Sequence, residues 1–315
     1  MTLPATTGTK IQAVDYNTFY NTISNQLGTG SGSTGYGQTL TVTPSSVSAG
    51  TKITRLQWAN IKTDILRIAN HEGLAQNAGW TSGTTTSIPT LVDVTTTTKI
   101  SSTITNAYYN AMNVVGLTSN KYLLAAGQYS DELVVTSSRT ANWNGTISHY
   151  FNINFGSANN ARYFFNAGGT IRITPSFTKT VADAINNDWD TLINNVGTIV
   201  LNYDNTTVGG SQVSSLGWYE LTTTATQVYT RTGGSQNATY AVNDYTVRFY
   251  CNSATNTTGT ASILYVECEF KDDKGANPNF DEVVQGTVTN ACRMYRPSGS
   301  NVVITAPTGT NTTTL

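Results

Sequence analysis

The chain has 315 residues, of which only 11% are charged, and its formal net charge is −1 at neutral pH. This length allows a sizeable core and one to three domains, while the lack of a basic field argues against nucleic acid as a partner. Thr, Ser, Asn and Gly replace the missing charge alongside 17 tyrosines, a composition that favours half-buried strands joined by tight turns.

A short phrase recurs in the first part of the chain. Residues 8–17 read Gly-Thr-Lys-Ile-Gln-Ala-Val-Asp-Tyr-Asn, and residues 50–60 read Gly-Thr-Lys-Ile-Thr-Arg-Leu-Gln-Trp-Ala-Asn. A looser third copy begins at Thr98-Lys99-Ile100 and leads into the Ala-Tyr-Tyr-Asn of residues 107–110. Because repeated units of this kind usually build a packing or docking surface, we interpret them as one.

Each copy leads into apolar residues at helical spacing, which predicts three short helices within residues 1–115. Asp15 and Thr54 fit N-cap or first-turn positions of the first two helices. Aromatic residues dominate interface energetics, so the apolar faces supply candidate docking anchors. These are Tyr16, Phe19, Tyr20, Trp58 and Ile61. The alternative interpretation is that the same side chains form the local core.

A glycine-rich run, residues 28–38, follows the first predicted helix. A phosphate-binding loop would precede a helix, so that backbone N–H groups point at the anion, and would continue into Gly-Lys-Ser/Thr. This run does neither. It is therefore predicted to be a flexible or tightly packed connector, and no nucleotide cofactor is expected.

From about residue 120 the pattern changes to alternation with period two, which predicts strands. Residues 146–155 form the first clear strand, and residues 162–173 resemble a hairpin whose Asn-Ala-Gly-Gly turn tolerates positive φ. A helix is predicted at about 180–197, followed by closely spaced strands to residue 270. The fold class expected is mainly β with short helices, in which an N-terminal helical docking region precedes an antiparallel β-sandwich.

Three domains follow from these changes of pattern. Residues 1–115 form the docking region with short helices and extended connectors, and residues 116–275 form the β-sandwich with one inserted helix. Residues 276–315 form a C-terminal strand and an extended, threonine-rich tail. Such a tail would be mobile alone in water, so neighbouring subunits are expected to hold it. Cys251, Cys268 and Cys292 lack metal-type spacing and are predicted to be free thiols.

No constellation of residues supports catalysis, so no enzymatic activity, catalytic residue, metal or cofactor is expected. His71 and His149 are the only histidines, and each fits a structural position. No paired carboxylates face each other at a recognisable spacing, and Asp272-Asp273 lacks the alternating ligands of a calcium loop. No stretch is apolar enough to insert into a membrane.

Three segments resemble virion structural proteins of tailed bacteriophages. Residues 11–17 and their second copy resemble a Gly-x-x-Ile-Thr-Ala-x-x-aromatic-Asn phrase found near the N-termini of tail fibre and structural proteins. Residues 27–38 and 162–172 resemble blocks in virion proteins of marine and cyanobacterial phages. The chain departs from the phrase at Gln12, where Thr is usual, and at Arg55, where Ala is usual.

The resemblance implies a non-enzymatic component of the virion, placed at the fibre, neck or tail and assembled in the host cytoplasm. It implies an N-terminal attachment region and an outward β domain. The partners expected are other virion proteins and other copies of the chain, with a trimer favoured by the likeness to fibres. The chain lacks the long repetitive shaft of a complete fibre.

Two alternative functions stay open from the sequence. The chain could be a capsid decoration protein, or a receptor- or glycan-binding adhesin module in which exposed aromatic rings stack on the sugars of a host surface glycan. The candidate stacking residues are Trp143, Trp218 and Tyr219. Trp143 lies in the turn-like Asn142-Trp143-Asn144-Gly145, and its other interpretation is a loop aromatic folded back onto the sandwich.

Overall fold

The computed structural model describes residues 12–73, 124–125, 128–203, 206–208, 214–217, 221–233, 238–254, 259–274, 279 and 283–314. Backbone contacts divide the chain into two compact units. Unit 1 comprises residues 1–130, 166–168 and 297–304, and unit 2 comprises residues 131–165, 169–296 and 305–315. The predicted domain boundaries, after residues 115 and 275, lie outside the described residues and stay predictions.

Unit 1 is built on two helices, each of which begins within one copy of the repeated phrase. Helix α1 spans Ala13–Gln26 and helix α2 spans Arg55–Glu72. The third residue of each helix closes its first turn. The Asp15 carboxylate accepts from the Gln12 N–H at 2.7 Å, and the Gln57 side chain accepts from the Thr54 N–H at 2.6 Å. Such reciprocal caps satisfy N–H groups that have no partner inside a helix. The third predicted helix lies outside the described residues.

The two helices pack in the same direction. Near their N-terminal ends the rings of Tyr16 and Trp58 meet edge to face, with centroids 6.5 Å apart. At their C-terminal ends the Gln26 amide donates to the Glu72 carboxyl at 2.7 Å. Tyr16 and Trp58 occupy equivalent positions of the repeat, 42 residues apart. The two copies therefore form a parallel pair that meets through equivalent side chains.

The connector between α1 and α2 is tightly packed, which is one of the two forms predicted for the glycine-rich run. Gly37 and Gln38 donate backbone N–H groups to the carbonyls of Gly28 and Leu27 at 2.8 and 2.9 Å. A Cβ at Gly35 would collide with the Gly28 carbonyl oxygen, so only glycine fits there. Further along, the buried Asp64 carboxylate of α2 accepts the N–H groups of Thr41 and Val42 at 2.8 and 2.9 Å.

Unit 2 is a sandwich of two antiparallel sheets, as the sequence predicted. The strands are β1 Tyr129–Arg139, β2 Thr146–Asn154, β3 Thr170–Lys179, β4 Ile199–Leu201, β5 Thr206–Val208, β6 Ser214–Gly217, β7 Thr226–Thr232, β8 Asp244–Cys251, β9 Ile263–Lys271, β10 Gly286–Pro297 and β11 Thr308–Thr314. The first sheet has the order β1-β10-β3-β4-β5-β6, and the second has the order β11-β2-β9-β8-β7. Two helices complete the unit, α3 Ala158–Asn166 and α4 Ala184–Asn194.

The core of unit 2 comes from strict alternation along the central strands. In β9 every second residue is buried, and β10 follows the same rule over most of its length. Helix α4 adds Trp189, which is fully buried and lies 6.3 Å from the ring of Phe270 in β9. Period-two burial places one face of each strand in the core and leaves the other face available.

The predicted hairpin at residues 162–173 is wrong. Its first half is helix α3, in which the Ser157 side chain caps the Asn160 N–H at 3.1 Å and Phe164 is buried. Its second half is strand β3. Gly168, with φ of 95°, ends the helix instead of forming a hairpin turn, because a residue with positive φ serves both purposes equally well.

The threonine-rich tail also differs from the prediction that neighbouring subunits hold it, because it pairs with a strand of its own chain. Residues 308–314 form β11, which pairs with β2 along seven positions from Thr308 to Thr314. The Asn311 side chain donates to the Thr136 carbonyl of β1 at 2.8 Å. Strand β1 was not predicted from the sequence. The tail is thus an ordinary edge strand of the second sheet.

Candidate functional site

Four of the five predicted docking anchors are buried in the core of unit 1. Tyr16, Phe19 and Ile61 are 0% exposed and Trp58 is 1% exposed, while Tyr20 is half-buried. Their side chains belong to the core of the helix pair, which is the alternative that the sequence left open. Their part in docking stays a prediction.

The packing explains why these rings are buried. The Tyr16 hydroxyl donates to the Pro44 carbonyl at 2.7 Å, which ties α1 to the connector. The ring of Phe19 meets Trp58 edge to face at 5.7 Å, an arrangement that adds about 0.5–1.5 kcal/mol beyond burial. Burial also raises the pKa of Tyr16, with a smaller contribution from Tyr20. This end of the helix pair is therefore a rigid support.

Two exposed apolar side chains stand at that same end. Val14 is 57% exposed and Leu56 is 68% exposed. They occupy equivalent positions of the repeat, each at the second residue of its helix and two residues before a buried aromatic ring. Both lie outside the apolar stripe that helical spacing indicates, so that spacing does not predict them. The signal that could have found them is an apolar residue conserved between the two copies outside the core spacing.

A buried polar cluster connects the two helices at their C-terminal ends. The Glu72 carboxyl, 4% exposed, accepts at one oxygen from the Gln26 amide and from the Tyr36 hydroxyl, each at 2.7 Å. Burial raises the pKa of Glu72 to about 8, against the lowering effect of these two donors. The neighbouring His71 ring lies 2.8 Å from the Ala167 carbonyl oxygen, and burial lowers its pKa to about 4. Both groups are thus neutral near pH 7.

A second buried polar cluster lies in unit 2. The Asn290 side chain bridges His149 at 3.0 Å and Tyr245 at 2.7 Å. Burial lowers the pKa of His149 to about 4 and raises the pKa of Cys268 to about 12. A buried thiol that stays un-ionised has little reactivity. Asn290 links the polar side chains of His149 and Tyr245 inside the core, as the structural interpretation of His149 predicted.

Among the described residues, no group of three or more His, Cys, Asp and Glu side chains could hold a metal ion. All three cysteines are free and buried, as predicted. Within the same part of the chain, none of the helices combines the length and the apolar character needed to cross a membrane.

The predicted stacking residues do not form an exposed site in the described residues. Trp143 is only 3% exposed, and its ring meets Trp189 of α4 at 4.9 Å. Its backbone also pairs with Val284, which draws the turn into the sandwich. Trp143 is therefore wrong as a stacking candidate, and the alternative interpretation, in which the ring folds back onto the sandwich, is confirmed. Trp218 and Tyr219 lie outside the described residues.

The class that the fold defines is a mainly β protein in which a small helical unit accompanies an antiparallel β-sandwich. Comparison with protein-family models, with curated proteins and with solved structures finds no match.

Proposed function

We propose that the chain is a non-enzymatic structural component of a tailed-phage virion, located in the fibre, the neck or another tail-associated position. In this proposal unit 1 attaches the protein to the particle and the β-sandwich faces outward. The chain associates with other virion proteins and with further copies of itself, most readily as a trimer. The observation that carries the proposal is the pair of exposed apolar residues, Val14 and Leu56, repeated on two rigid helices.

The physical argument concerns how these side chains are presented. Each stands on the first turn of a capped helix, and the rings beneath it are locked by packing. A partner that covers them pays little ordering entropy, because their support is already fixed. Burying an apolar side chain of this size contributes about 1.5–3 kcal/mol. The low overall charge and the phage-like phrase that leads into both helices support the same interpretation.

The proposal is tested by incorporation into particles. We expect the double variant Val14→Asp, Leu56→Asp to fold normally, because both side chains are exposed. Its occupancy in particles should fall at least about tenfold, since charged groups replace two apolar side chains that the proposal buries against the partner. Quantitative mass spectrometry of purified particles measures the occupancy, and circular dichroism measures the fold. The matched control is Val303→Asp, which changes another valine of unit 1 that is 65% exposed.

The buried aromatic anchors Tyr16 and Trp58 allow a second variant in the same test. The double variant Tyr16→Ala, Trp58→Ala removes rings that are packed inside unit 1, so we expect it to lower the stability of the isolated protein. Normal occupancy of the Val14, Leu56 variant together with an intact fold would contradict attachment through this end of unit 1.

A glycan-binding adhesin module remains the second candidate function. Its support is no longer Trp143 but an exposed set of polar and aromatic side chains on the second sheet.

A further inference from the structure

The second sheet has an outward face that combines tyrosines with small polar residues. Alternate residues of its strands point away from the core, and their register places them side by side. Tyr265 of β9 lies opposite Tyr250 of β8 on one side and Asn152 of β2 on the other. Asn152 in turn lies opposite Thr310 of β11. We name this set, together with Tyr150 and Glu267 in the adjacent row, the tyrosine face.

The two central tyrosines are stacked. The rings of Tyr250 and Tyr265 have centroids 4.8 Å apart and an interplanar angle of 20°. This separation equals the spacing of neighbouring strands, roughly 4.7–4.9 Å, so the rings stand up from the sheet side by side. One face of the Tyr265 ring stacks on Tyr250, and the opposite face is on the side of β2 and Asn152. Because Asn152 and Thr310 are much shorter than Tyr265, the ring forms the wall of a step whose floor is polar.

The floor and the rim of this step have unused hydrogen-bonding capacity. The side chains of Asn152, Thr310, Tyr250 and Tyr265 make no hydrogen bond within the part of the chain that the structure describes, and each is at least partly exposed. Only the adjacent row is internally paired. There the Tyr150 hydroxyl donates to the Glu267 carboxylate at 3.3 Å. An amide and several hydroxyl groups are thus available beside an aromatic wall.

The charges of the adjacent row are largely balanced. Arg248 lies 3.7 Å from Glu267 and 3.3 Å from Glu269, which leaves one net negative charge. Burial, followed by the nearby Glu267 carboxylate, raises the pKa of Tyr250, so its hydroxyl stays protonated and can donate. The tyrosine face therefore has no free cation to attract a carboxylate or sulfate, and its local charge opposes an anionic ligand.

We propose that the tyrosine face binds neutral hexopyranose units of an extended glycan. The C–H face of a pyranose ring stacks against Tyr265, since the negative face of an aromatic ring attracts weakly positive hydrogens. The sugar hydroxyls bond to Asn152, Thr310 and the tyrosine hydroxyls, while Glu267 accepts from one more. A step on an open sheet, unlike a closed pocket, admits a sugar from the middle of a chain. This inference stands independently of the attachment of unit 1.

The test uses the full chain and defined carbohydrates. Saturation-transfer NMR is run with neutral oligosaccharides of glucose, mannose and galactose, six sugars long, and with an anionic galacturonate oligosaccharide of equal length. We expect transfer to the ring protons of at least one neutral oligosaccharide and at least about tenfold weaker binding by Tyr265→Ala, the loss that about 1.4 kcal/mol of stacking would cause. Asn152→Ala should also weaken binding, and it changes the packing of the protein less than Tyr265→Ala does.

A matched control is Tyr163→Ala, which removes a partly exposed tyrosine of α3 in the same unit and should leave binding unchanged. Three results would overturn the proposal. The first is the absence of transfer to every neutral oligosaccharide, and the second is unchanged binding by Tyr265→Ala. The third is a change of sedimentation in Tyr265→Ala without any carbohydrate binding, which would assign the tyrosine face to a contact between copies of the chain.

Discussion

At the scale of single residues, Glu72 links three segments of unit 1 through one buried carboxyl oxygen. Gln26 ends α1, Tyr36 lies in the connector, and Glu72 ends α2. Its other carboxyl oxygen has no hydrogen-bond partner among the described residues. A charged carboxylate in this position would be poorly solvated. The protonated form is therefore the one that the folded state prefers, and Glu72 makes the stability of unit 1 depend on pH.

The direction of this dependence follows from the pKa values. The pKa of Glu72 is about 8 in the folded state and 4.5 for the ordinary group, so its ionisation removes stability as pH rises between these values. The pKa values of His71 and His149 are about 4 in the folded state and 6.5 ordinarily, so they remove stability as pH falls from 6.5 to 4. Both histidines act equally in the wild type and in a variant that lacks the Glu72 carboxyl, so the difference between the two proteins from pH 6.5 to pH 8 isolates the effect of Glu72.

We predict that the free energy of unfolding of the wild type, relative to that of the variant Glu72→Gln, falls by about 2 kcal/mol from pH 6.5 to pH 8, since one pKa unit corresponds to about 1.4 kcal/mol. The variant Glu72→Gln keeps the shape of the side chain without its charge and should show no such fall. Urea unfolding followed by circular dichroism at a series of pH values measures the difference. The control is Glu132→Gln, an exposed carboxylate. Parallel pH profiles of the wild type and Glu72→Gln would contradict the prediction.

At the scale of helices and strands, the repeat was the most reliable signal in the sequence. Its first two copies end in α1 and α2, because apolar residues at helical spacing coincide with residues that cap the first turn. The interpretation of residues 162–173 failed, since Asn-Ala-Gly-Gly can end a helix or turn a hairpin. Strand β1 and the pairing of the tail depend on contacts with distant residues, which local patterns do not contain.

Strand β11 offers a test of how the sandwich edge is closed. Truncation after Pro307 removes the seven paired residues of β11 and exposes the edge of β2. We predict a decrease in the free energy of unfolding of about 2–4 kcal/mol, from several lost ladder hydrogen bonds, together with aggregation through the open edge. Urea unfolding and light scattering measure the two effects.

The matched control keeps β11 and changes one of its exposed side chains, as Thr312→Ala. Since the backbone ladder remains, the loss of stability should stay below about 1 kcal/mol. A truncated chain that unfolds at the same urea concentration as the full chain and stays monodisperse would show that β11 does not close the sheet.

At the scale of the whole molecule, the fold class could be predicted from period-two alternation, but the candidate sites could not. Val14 and Leu56 lie off the core stripe, and only their exposure distinguishes them. Tyr250 and Tyr265 are 15 positions apart in the sequence, and they meet only because β8 and β9 pair in one particular register. The turn-like sequence around Trp143 was compatible with an exposed ring and with a ring folded back onto the sandwich, and the structure shows the second.

The proposed role as a virion component also predicts a fixed stoichiometry. Closed assemblies contain set numbers of copies, and a trimeric attachment gives a copy number divisible by three. Quantitative mass spectrometry of gradient-purified particles, from a tailed phage that encodes this chain, measures that number most directly. We expect a constant copy number that survives repeated purification. Absence of the chain from particles, or an amount that falls with each purification step, would contradict the proposed function.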